Sequence, residues 1–365
     1  MHFNSLKVLI LKPSSLGDVV QALPVLRSIK RHLPHSEIHW WIDSNLAPLL
    51  EGDPDLAGIV RFERRRWARP ANLLALIRNL HSLRQVEFDW VIDLQCLARS
   101  GAFAWMVNGR LLIGLDEPRE GARGLYDIIV PRRSFLTHAV DWYLDVLPAL
   151  GVPPARDYQW LPPRPQVAAT LRQKWPLGAG PWLLLQPGAR WLNKRWPVEH
   201  FSELVRRLAG WRSDLRFAVL GGAEDTLLGR TIARVDAQRC LDLTGRLSLP
   251  EMVEWIRAGT LLVTNDTGPM HVAVAVQTPV VALFGPTEPR RTGPYGQLDS
   301  ALQTNLDCVP CLRSRCARAG TPCECLQALT PGLAAAAVQK LLETLPVHAL
   351  SRSVNVAAEP GGVRS

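Results

Sequence analysis

Residues 261–289 constrain the fold of this chain more than any other stretch, and they read LLVTNDTGPMHVAVAVQTPVVALFGPTEP. The two apolar runs within it, LLVT and PVVALF, have the length and composition of buried parallel strands. A polar turn and a short helix that opens at Pro269 separate them. Proline is tolerated at the first helical position because its missing N–H would be unpaired there. Strand, helix and strand in this order predict a parallel sheet with crossover helices.

The turn before this helix predicts an anion-binding site. Asp266 or Thr267 can cap the helix, and His271 falls in its first turn. The first N–H groups of a helix have no partner within the helix, and Gly268 lets a ligand approach the backbone closely. Doubly wound α/β folds bind ligands at the carboxyl ends of strands, where this turn lies. The alternative is an ordinary capped helix without a ligand.

Strand and helix patterns alternate in both halves of the chain. The proline-rich stretch at residues 151–166 interrupts the alternation, which resumes at residue 181. A chain of 365 residues is long enough for two domains, each with its own core. We therefore predict two doubly wound α/β domains, followed by a terminal helix and a disordered tail. The predicted boundaries are 1–160, 161–330, 331–346 and 347–365.

The loop after the first predicted strand carries an acidic residue at the start of a helix. The strand covers residues 7–12, and the loop PSSLGD ends at Asp18. The spacing of a phosphate-binding P-loop is absent. Asp18 has two interpretations: an N-cap, which is the commoner use of Asp at such a position, or a general base at the end of the strand.

The net charge of +9 admits three kinds of partner: nucleic acid, an anionic membrane surface or a phosphorylated substrate. None of the sequence patterns of the common nucleic-acid-binding modules is present. A solvated basic surface is the alternative explanation. No run of eighteen apolar residues occurs, and the N-terminus has the pattern of a first strand rather than a signal peptide. We expect a cytoplasmic protein without a transmembrane segment.

A basic run, ERRRWAR, occupies residues 63–69. Arginine side chains bind phosphates and carboxylates through paired N–H donors. A loop with a solvated basic face is the alternative. We interpret the run as a cluster that binds an anionic acceptor, formed by Arg64, Arg65, Arg66 and Arg69.

Five of the seven cysteines lie in a short segment with the spacing C-x2-C-x4-C-x6-C-x-C. In a cytoplasmic protein, clustered cysteines indicate a metal site more than disulfides. Cys308 and Cys311 have the C-x2-C spacing of a zinc knuckle. Cys316 with Cys323 or Cys325 would complete a tetrahedral thiolate site for structural zinc or iron. A reduced cluster that packs the loop is the alternative. Cys96 and Cys240, in strand contexts, are predicted to be buried thiols.

Three motifs together resemble the family 9 glycosyltransferases, the bacterial ADP-heptose:lipopolysaccharide heptosyltransferases. They are NDTGPMHVA with the following FGPTEP, the N-terminal SSLGDVVQALP, and the KRWP that begins at Lys194. The resemblance extends to about residue 346. It implies the GT-B architecture, in which two Rossmann-like α/β domains face a central cleft. The first domain binds the acceptor and the second the donor. The terminal helix is expected to pack back toward the first domain.

The resemblance also assigns roles to individual residues. Asp18 is expected to be the general base, and Lys194 to meet the charge of the departing diphosphate. The donor-binding set that it implies is Gln186, Lys194, Glu224, Asp266, Thr267, Gly268 and His271, with Arg190 and Arg195 as weaker candidates. The acceptor-binding set is Ser15, Gly17, Arg64, Arg65, Arg66, Arg69, Arg119 and Arg123.

The implied reaction moves heptose from ADP-heptose to the inner core of lipopolysaccharide, with inversion and without a catalytic metal. The acceptor would lie at the cytoplasmic face of the inner membrane. The N-terminal half is closer to the heptosyltransferase I type. The cysteine segment is closer to types II and III, and to autotransporter heptosyltransferases with an iron-binding cysteine motif. A Kdo sugar, a first heptose and a protein therefore all remain candidate acceptors.

Three other functions compete with this interpretation. The first is a family 9 transferase that uses another nucleotide sugar. The second is a non-catalytic nucleotide-binding protein of the same fold, against which the joint presence of Asp18, Lys194, Glu224 and Asp266 argues. The third is a nucleic-acid binder, which only the net charge supports.

Overall fold

The computed structural model describes residues 5–63, 80–117, 120–157, 159–175, 180–318 and 323–346. Two compact units form the chain. The first contains Met1–Pro162 and Pro289–Tyr295, and the second contains Pro163–Glu288 and Gly296–Ser365.

The first unit is built on a six-stranded sheet. Its strands are β1 (Lys7–Leu11), β2 (Glu37–Asp43), β3 (Gly58–Phe62), β4 (Trp90–Asp93), β5 (Leu111–Leu115) and β6 (Ile128–Val130). Helices α1 (Leu16–His32) and α2 (Ala98–Val107) lie between strands of this sheet, and α3 (Ala139–Leu144) follows β6; residues 80–84 are also helical. The strand order is β3-β2-β1-β4-β5-β6, and every pairing is parallel.

The second unit repeats this construction. Its strands are β7 (Trp182–Gln186), β8 (Arg216–Val219), β9 (Cys240–Asp242), β10 (Leu261–Asn265), β11 (Val280–Phe284) and β12 (Ala301–Gln303). The remaining helices are α4 (Pro165–Lys174), α5 (Val198–Trp211), α6 (Thr226–Ala233), α7 (Leu249–Ala258), α8 (Gly268–Ala275), α9 (Pro289–Thr292, in the first unit), α10 (Glu324–Gln327) and α11 (Pro331–Thr344). The strand order is β12-β11-β10-β7-β8-β9, again parallel throughout.

Both sheets have the same topology when strands are counted within each unit: third, second, first, fourth, fifth, sixth. This is the Rossmann order, in which the chain reverses direction across the sheet after the third strand. The prediction of two Rossmann-like, doubly wound domains is therefore confirmed. The switch points lie between β1 and β4 and between β7 and β10, and ligands of such folds bind outside the carboxyl ends of these strands.

The central strands form because their sequences are continuously apolar, as parallel strands covered on both faces require. Residues Val8–Leu11 of β1 and Leu261–Val263 of β10 are fully buried. Helix α1 continues through Pro24, and the Ser28 hydroxyl donates to the Pro24 carbonyl oxygen at 2.7 Å. The proline therefore neither ends the helix nor moves its start.

Helix α11 packs within the second unit, against α5, β10 and β11. Its apolar side chains Ala334, Val338 and Leu342 join the core around Phe201 and Leu204. The expected approach of this helix to the first domain stays a prediction.

The segment Pro289–Tyr295 belongs to the first unit, although the residues before and after it in the chain belong to the second. The Tyr295 hydroxyl donates to Asp141 at 2.7 Å and accepts from Arg156 at 2.8 Å. His138 contacts the Gly293 carbonyl at 3.1 Å. These hydrogen bonds attach the segment to helix α3 and to the loop after it. In the part of the chain that the structure describes, every helix is too short or too polar to span a bilayer.

Candidate active site

The turn between β10 and α8 lies at the switch point of the second sheet. Strand β10 ends at Asn265, Thr267 is the N-cap and α8 begins at Gly268. The helix thus begins one residue earlier than the sequence predicts, and Pro269 is its second residue. Asp266, the other predicted cap, does not cap the helix. Thr267 and Gly268 are half-buried at the positive end of the helix.

Lys194 and Asp266 form an ion pair beside this turn. The Lys194 Nζ lies 2.5 Å from Asp266 Oδ2, and the Thr287 hydroxyl donates to the same oxygen at 2.6 Å. The two charged side chains are only 17% and 6% exposed. Lys194 Nζ also lies 4.7 Å from the centre of the Trp191 ring. Asp266 therefore holds a cation at the start of α8, where an anion would bind.

Asn265 joins the two loops that form the switch point. Its Nδ2 donates to the Pro187 carbonyl at 2.7 Å, and its Oδ1 accepts from the Trp196 N–H at 3.0 Å. Both groups belong to the loop after β7, which contains Lys194 in the short 3₁₀ turn Leu192–Lys194. The side chain of Asn265 is completely buried. It therefore fixes the position of the Lys194 loop relative to β10.

Gln186, Gly188 and Asp225 lie at the ends of β7 and β8. The Gln186 Nε2 donates to the Gly188 carbonyl at 3.4 Å, and within the described residues its buried Oε1 has no hydrogen-bond partner. A Cβ on Gly188 would lie 2.1 Å from Asp225 Oδ2. Asp225 accepts from the Gly222 N–H at 3.2 Å and lies 3.6 Å from Arg195. Burial raises the pKa of the Asp225 carboxyl above its ordinary value.

The other donor-set residues are placed at the same edge of the sheet. Glu224 is exposed in the 3₁₀ turn after β8, and His271 is buried in the first turn of α8. Arg195 donates to the Ala189 carbonyl at 2.8 Å. The structure thus brings the loops after β7, β8 and β10 together. Sequence reasoning missed Thr287, although it lies in the quoted FGPTEP motif.

Asp18 lies at the corresponding edge of the first sheet, in the first turn of α1. Its Oδ2 accepts from the Ser15 N–H at 3.0 Å and from the Ser15 hydroxyl at 2.6 Å. Ser15 is the N-cap and Asp18 the third helical residue, so the interpretation of Asp18 as an N-cap is wrong. The carboxylate satisfies the N–H of the cap instead, as the acid of a capping box does. Gly17 is buried between them.

A cavity of about 230 Å³ opens beside Asp18 at the switch point of the first sheet. Lys12, which follows β1, is 4% exposed, and its Nζ donates to the Leu94 carbonyl at 2.9 Å. The Tyr143 hydroxyl donates to Asp18 Oδ1 at 3.4 Å. The residues that line the cavity are Lys12, Asp18, Leu94, Gln95, Cys96, Leu97, Leu115, Glu117, Trp142 and Tyr143.

Burial shifts the pKa values of the groups in this cavity. It raises the pKa of the Tyr143 phenol to about 12 and that of the Cys96 thiol well above its usual range. Burial also acts to lower the pKa of Lys12, but the potential of Tyr143, Asp18 and Cys96 outweighs it, so this pKa lies above its ordinary value. Lys12 and Tyr143 were not predicted as site residues, because no local pattern indicates that α3 packs on α1 and brings Tyr143 beside Lys12 and Asp18.

The predicted arginine cluster lies outside the described residues. This applies to Arg64, Arg65, Arg66 and Arg69, and also to Arg119. Arg123 belongs to the 3₁₀ turn Ala122–Leu125, and only its backbone is described. Acceptor binding by these side chains stays a prediction.

All seven cysteines are free thiols, and Cys96 and Cys240 are buried as predicted. The Cys323 N–H donates to Cys316 Sγ at 3.5 Å, and such backbone N–H groups lower the pKa of Cys316. Burial raises the pKa of Cys325 to about 11. Within the described ranges, no three His, Cys, Asp or Glu side chains are arranged to hold a metal ion. The thiols as placed therefore do not form the predicted tetrahedral site.

The chain is similar in sequence to a known protein family. Residues 76–321 match the family described as glycosyltransferase family 9 (heptosyltransferase). The chain is 32% identical over 325 residues to lipopolysaccharide heptosyltransferase 1 of Pseudomonas aeruginosa, covering 85% of this chain and 87% of that protein.

Two solved structures share the fold. A family 9 glycosyl transferase from Veillonella parvula has a TM-score of 0.80 at 21% identity, covering 94% of this chain and 99% of that one. An E. coli heptosyltransferase with ADP-2-deoxy-2-fluoro heptose has a TM-score of 0.69 at 22% identity, covering 93% and 99%. These likenesses confirm the predicted GT-B fold class.

Proposed function

The chain belongs to glycosyltransferase family 9, and from this we infer that it transfers heptose from ADP-heptose to the inner core of lipopolysaccharide with inversion. The observation that carries the donor half of this proposal is the Lys194–Asp266 pair at the start of α8. The observation that carries the acceptor half is the Asp18 carboxylate beside a cavity at the other switch point.

The second unit supplies what a nucleotide diphosphate requires. In this proposal, Lys194 and the N–H groups of Thr267 and Gly268 meet the diphosphate charge, together with the positive end of α8. Exposed Glu224 accepts from nucleoside hydroxyls. The proposed acceptors for the hydroxyls of the sugar are the Asp266 carboxylate and the Gln186 Oε1, which has no hydrogen-bond partner within the described residues. For His271, buried in the first turn of α8, two roles are proposed: contact with the diphosphate or support of the turn.

The chemistry follows from the two sets of residues. Asp18 accepts the proton of the acceptor hydroxyl as the oxygen attacks the anomeric carbon, and the bond from that carbon to the diphosphate oxygen breaks. The charge that develops on the departing ADP is stabilised by Lys194 and by the α8 N-terminus. Lys194 and the α8 N-terminus take the place of the metal cation that stabilises the leaving group in other transferases. We therefore propose chemistry without a catalytic metal.

The proposed acceptor is a lipopolysaccharide inner-core sugar presented at the cytoplasmic face of the inner membrane, with the protein associated peripherally. Ser15 and Gly17 shape the loop beside the proposed base, and the predicted arginine clusters would bind acceptor phosphates or carboxylates. The 32% identity to a protein named lipopolysaccharide heptosyltransferase 1 supports an acceptor in lipopolysaccharide, with a Kdo sugar and a first heptose as the two candidates. Another nucleotide sugar and a protein acceptor remain the competing assignments.

A transfer assay tests this function. ADP release is measured from ADP-heptose with lipid A that carries Kdo, with heptosylated lipid A and with no acceptor. We expect release that depends on one of these two lipid A acceptors and greatly exceeds hydrolysis without an acceptor. Turnover only with GDP- or UDP-sugars would replace the donor, and absence of turnover with every donor would contradict the assignment.

A further inference from the structure

Lys12 is a buried cation beside the proposed catalytic base. It is 4% exposed, and its Nζ donates to the carbonyl of Leu94 at 2.9 Å. Its Nζ also lies 4.7 Å from the centre of the Tyr143 ring. Lysine is almost never fully buried unless it is paired, because removing an ammonium group from water is costly. A negative charge nearby must therefore offset the burial.

Asp18 is the group that provides this charge. Three side chains stabilise the charged form of Lys12: Tyr143, Asp18 and Cys96. Tyr143 has a pKa of about 12, and the pKa of Cys96 lies well above its usual range, so both are neutral at pH 7. Asp18 is the carboxylate among the three, and it lines the same cavity as Lys12 and Tyr143.

The two oxygens of the Asp18 carboxylate have different surroundings. Ser15 donates twice to Oδ2 and so fixes that oxygen against the start of α1. Oδ1 faces Tyr143, whose hydroxyl lies 3.4 Å away, beside the cavity. An acceptor hydroxyl that enters the cavity would therefore meet Oδ1.

We propose that Lys12 and Tyr143 are positioning residues for the general base: Lys12 keeps Asp18 ionised in the cavity, and Tyr143 orients Oδ1 toward the acceptor hydroxyl. This inference rests on the proposed function of Asp18. The other groups that face the cavity are Gln95 and Cys96 after β4 and Glu117 after β5. Glu117 is a second carboxylate in the same cavity, and its negative charge would raise the free energy of ionising Asp18. A buried cation offsets this repulsion.

The first test measures the protonation of Asp18 without substrate. The carboxyl ¹³C resonance of Asp18, assigned with Asp18→Asn, is titrated in the wild type, Lys12→Met, Lys12→Arg and Lys7→Met. Lys7 is the matched control, since it lies on β1 and donates to the Val86 carbonyl at 3.1 Å. We expect the midpoint to rise by about 1–2 pH units in Lys12→Met. It should stay near the wild-type value in Lys12→Arg and Lys7→Met.

The second test measures transfer. The acidic limb of kcat/KM should move to higher pH in Lys12→Met by the same amount, while Lys12→Arg restores it. Tyr143→Phe should lower kcat without moving the limb, and ADP affinity should be unchanged in every variant. An unmoved midpoint in Lys12→Met overturns the role of Lys12, and unchanged kcat in Tyr143→Phe overturns that of Tyr143. An inactive wild type with a shifted midpoint instead contradicts the proposed function.

Discussion

At the scale of single residues, both candidate sites consist of a charged group held by a small number of short contacts. Lys194 is fixed by Asp266, which Thr287 also contacts. Asp18 is fixed by Ser15, with Tyr143 on its other oxygen. Each charge is partly withdrawn from water, where its electrostatic effect on a bound substrate is stronger than at the surface.

The role of Asp18 predicts a separation of catalysis from folding. Asp18→Asn keeps an oxygen that can accept from the Ser15 N–H but removes the base. We expect transfer to fall by about 10²–10⁴-fold with ADP affinity unchanged. The rate is measured by ADP release and the affinity by calorimetry.

Glu251 provides a matched control for this prediction. It is the third residue of α7 and accepts from the N–H and the hydroxyl of the N-cap Ser248 at 2.7 and 2.8 Å, as Asp18 does from Ser15. Glu251→Gln should leave transfer unchanged. If the two variants lost activity to the same extent, the effect would be one of helix capping, and Asp18 would not be the base.

Whether a site residue can be predicted from the sequence depends on what fixes its position, a strand end or the packing of distant elements. Lys194, Asp266 and Asp18 lie in motifs at strand ends, and their positions follow from topology alone. Lys12 contacts Tyr143 of α3, which packs on α1, and no local pattern indicates that packing. The exact start of α8 is set by the turn geometry at Thr267, which is why the predicted start at Pro269 was wrong.

At the scale of elements, each site is made by two or three strand ends that meet at one edge of a parallel sheet. The alternation of apolar strands and helices predicts this arrangement, because the carboxyl ends of parallel strands lie on the same edge. Close contact between the loops is not predictable in this way. Gly188 and Asp225 follow different strands, and their loops meet so closely that a Cβ at Gly188 would overlap the Asp225 carboxylate as it lies.

This close contact predicts an asymmetry between two glycines. Gly188→Ala would place a Cβ 2.1 Å from the buried Asp225 carboxylate, and we expect it to destabilise the second unit by about 1–3 kcal/mol. Gly210, in helix α5, has nothing within 4 Å of an added Cβ. Gly210→Ala should be neutral or stabilising by up to ~1 kcal/mol. Urea unfolding measures both, and equal midpoints would contradict the placement of Asp225.

At the scale of the whole molecule, the chain contains two units of the same topology with different chemistry at their switch points. The second unit presents a cation and a helix N-terminus, which suit a diphosphate, and the first presents a carboxylate beside a cavity, which suits a base. The repetition of the strand and helix pattern predicts the two units. It does not predict that Pro289–Tyr295 joins the first unit, since that depends on the contacts of Tyr295 with Asp141 and Arg156.

Calorimetric titration of the full chain with ADP, GDP and UDP tests the central claim most directly. We expect ADP to bind most tightly, and Lys194→Ala to weaken it by about 10–100-fold, as loss of a charged hydrogen bond does. Lys174, which pairs with Glu251 at 2.9 Å in the same unit, provides the control: Lys174→Ala should bind ADP as the wild type does. Preference for GDP or UDP, or ADP binding unaffected by Lys194→Ala, would contradict an ADP-heptose site at the start of α8.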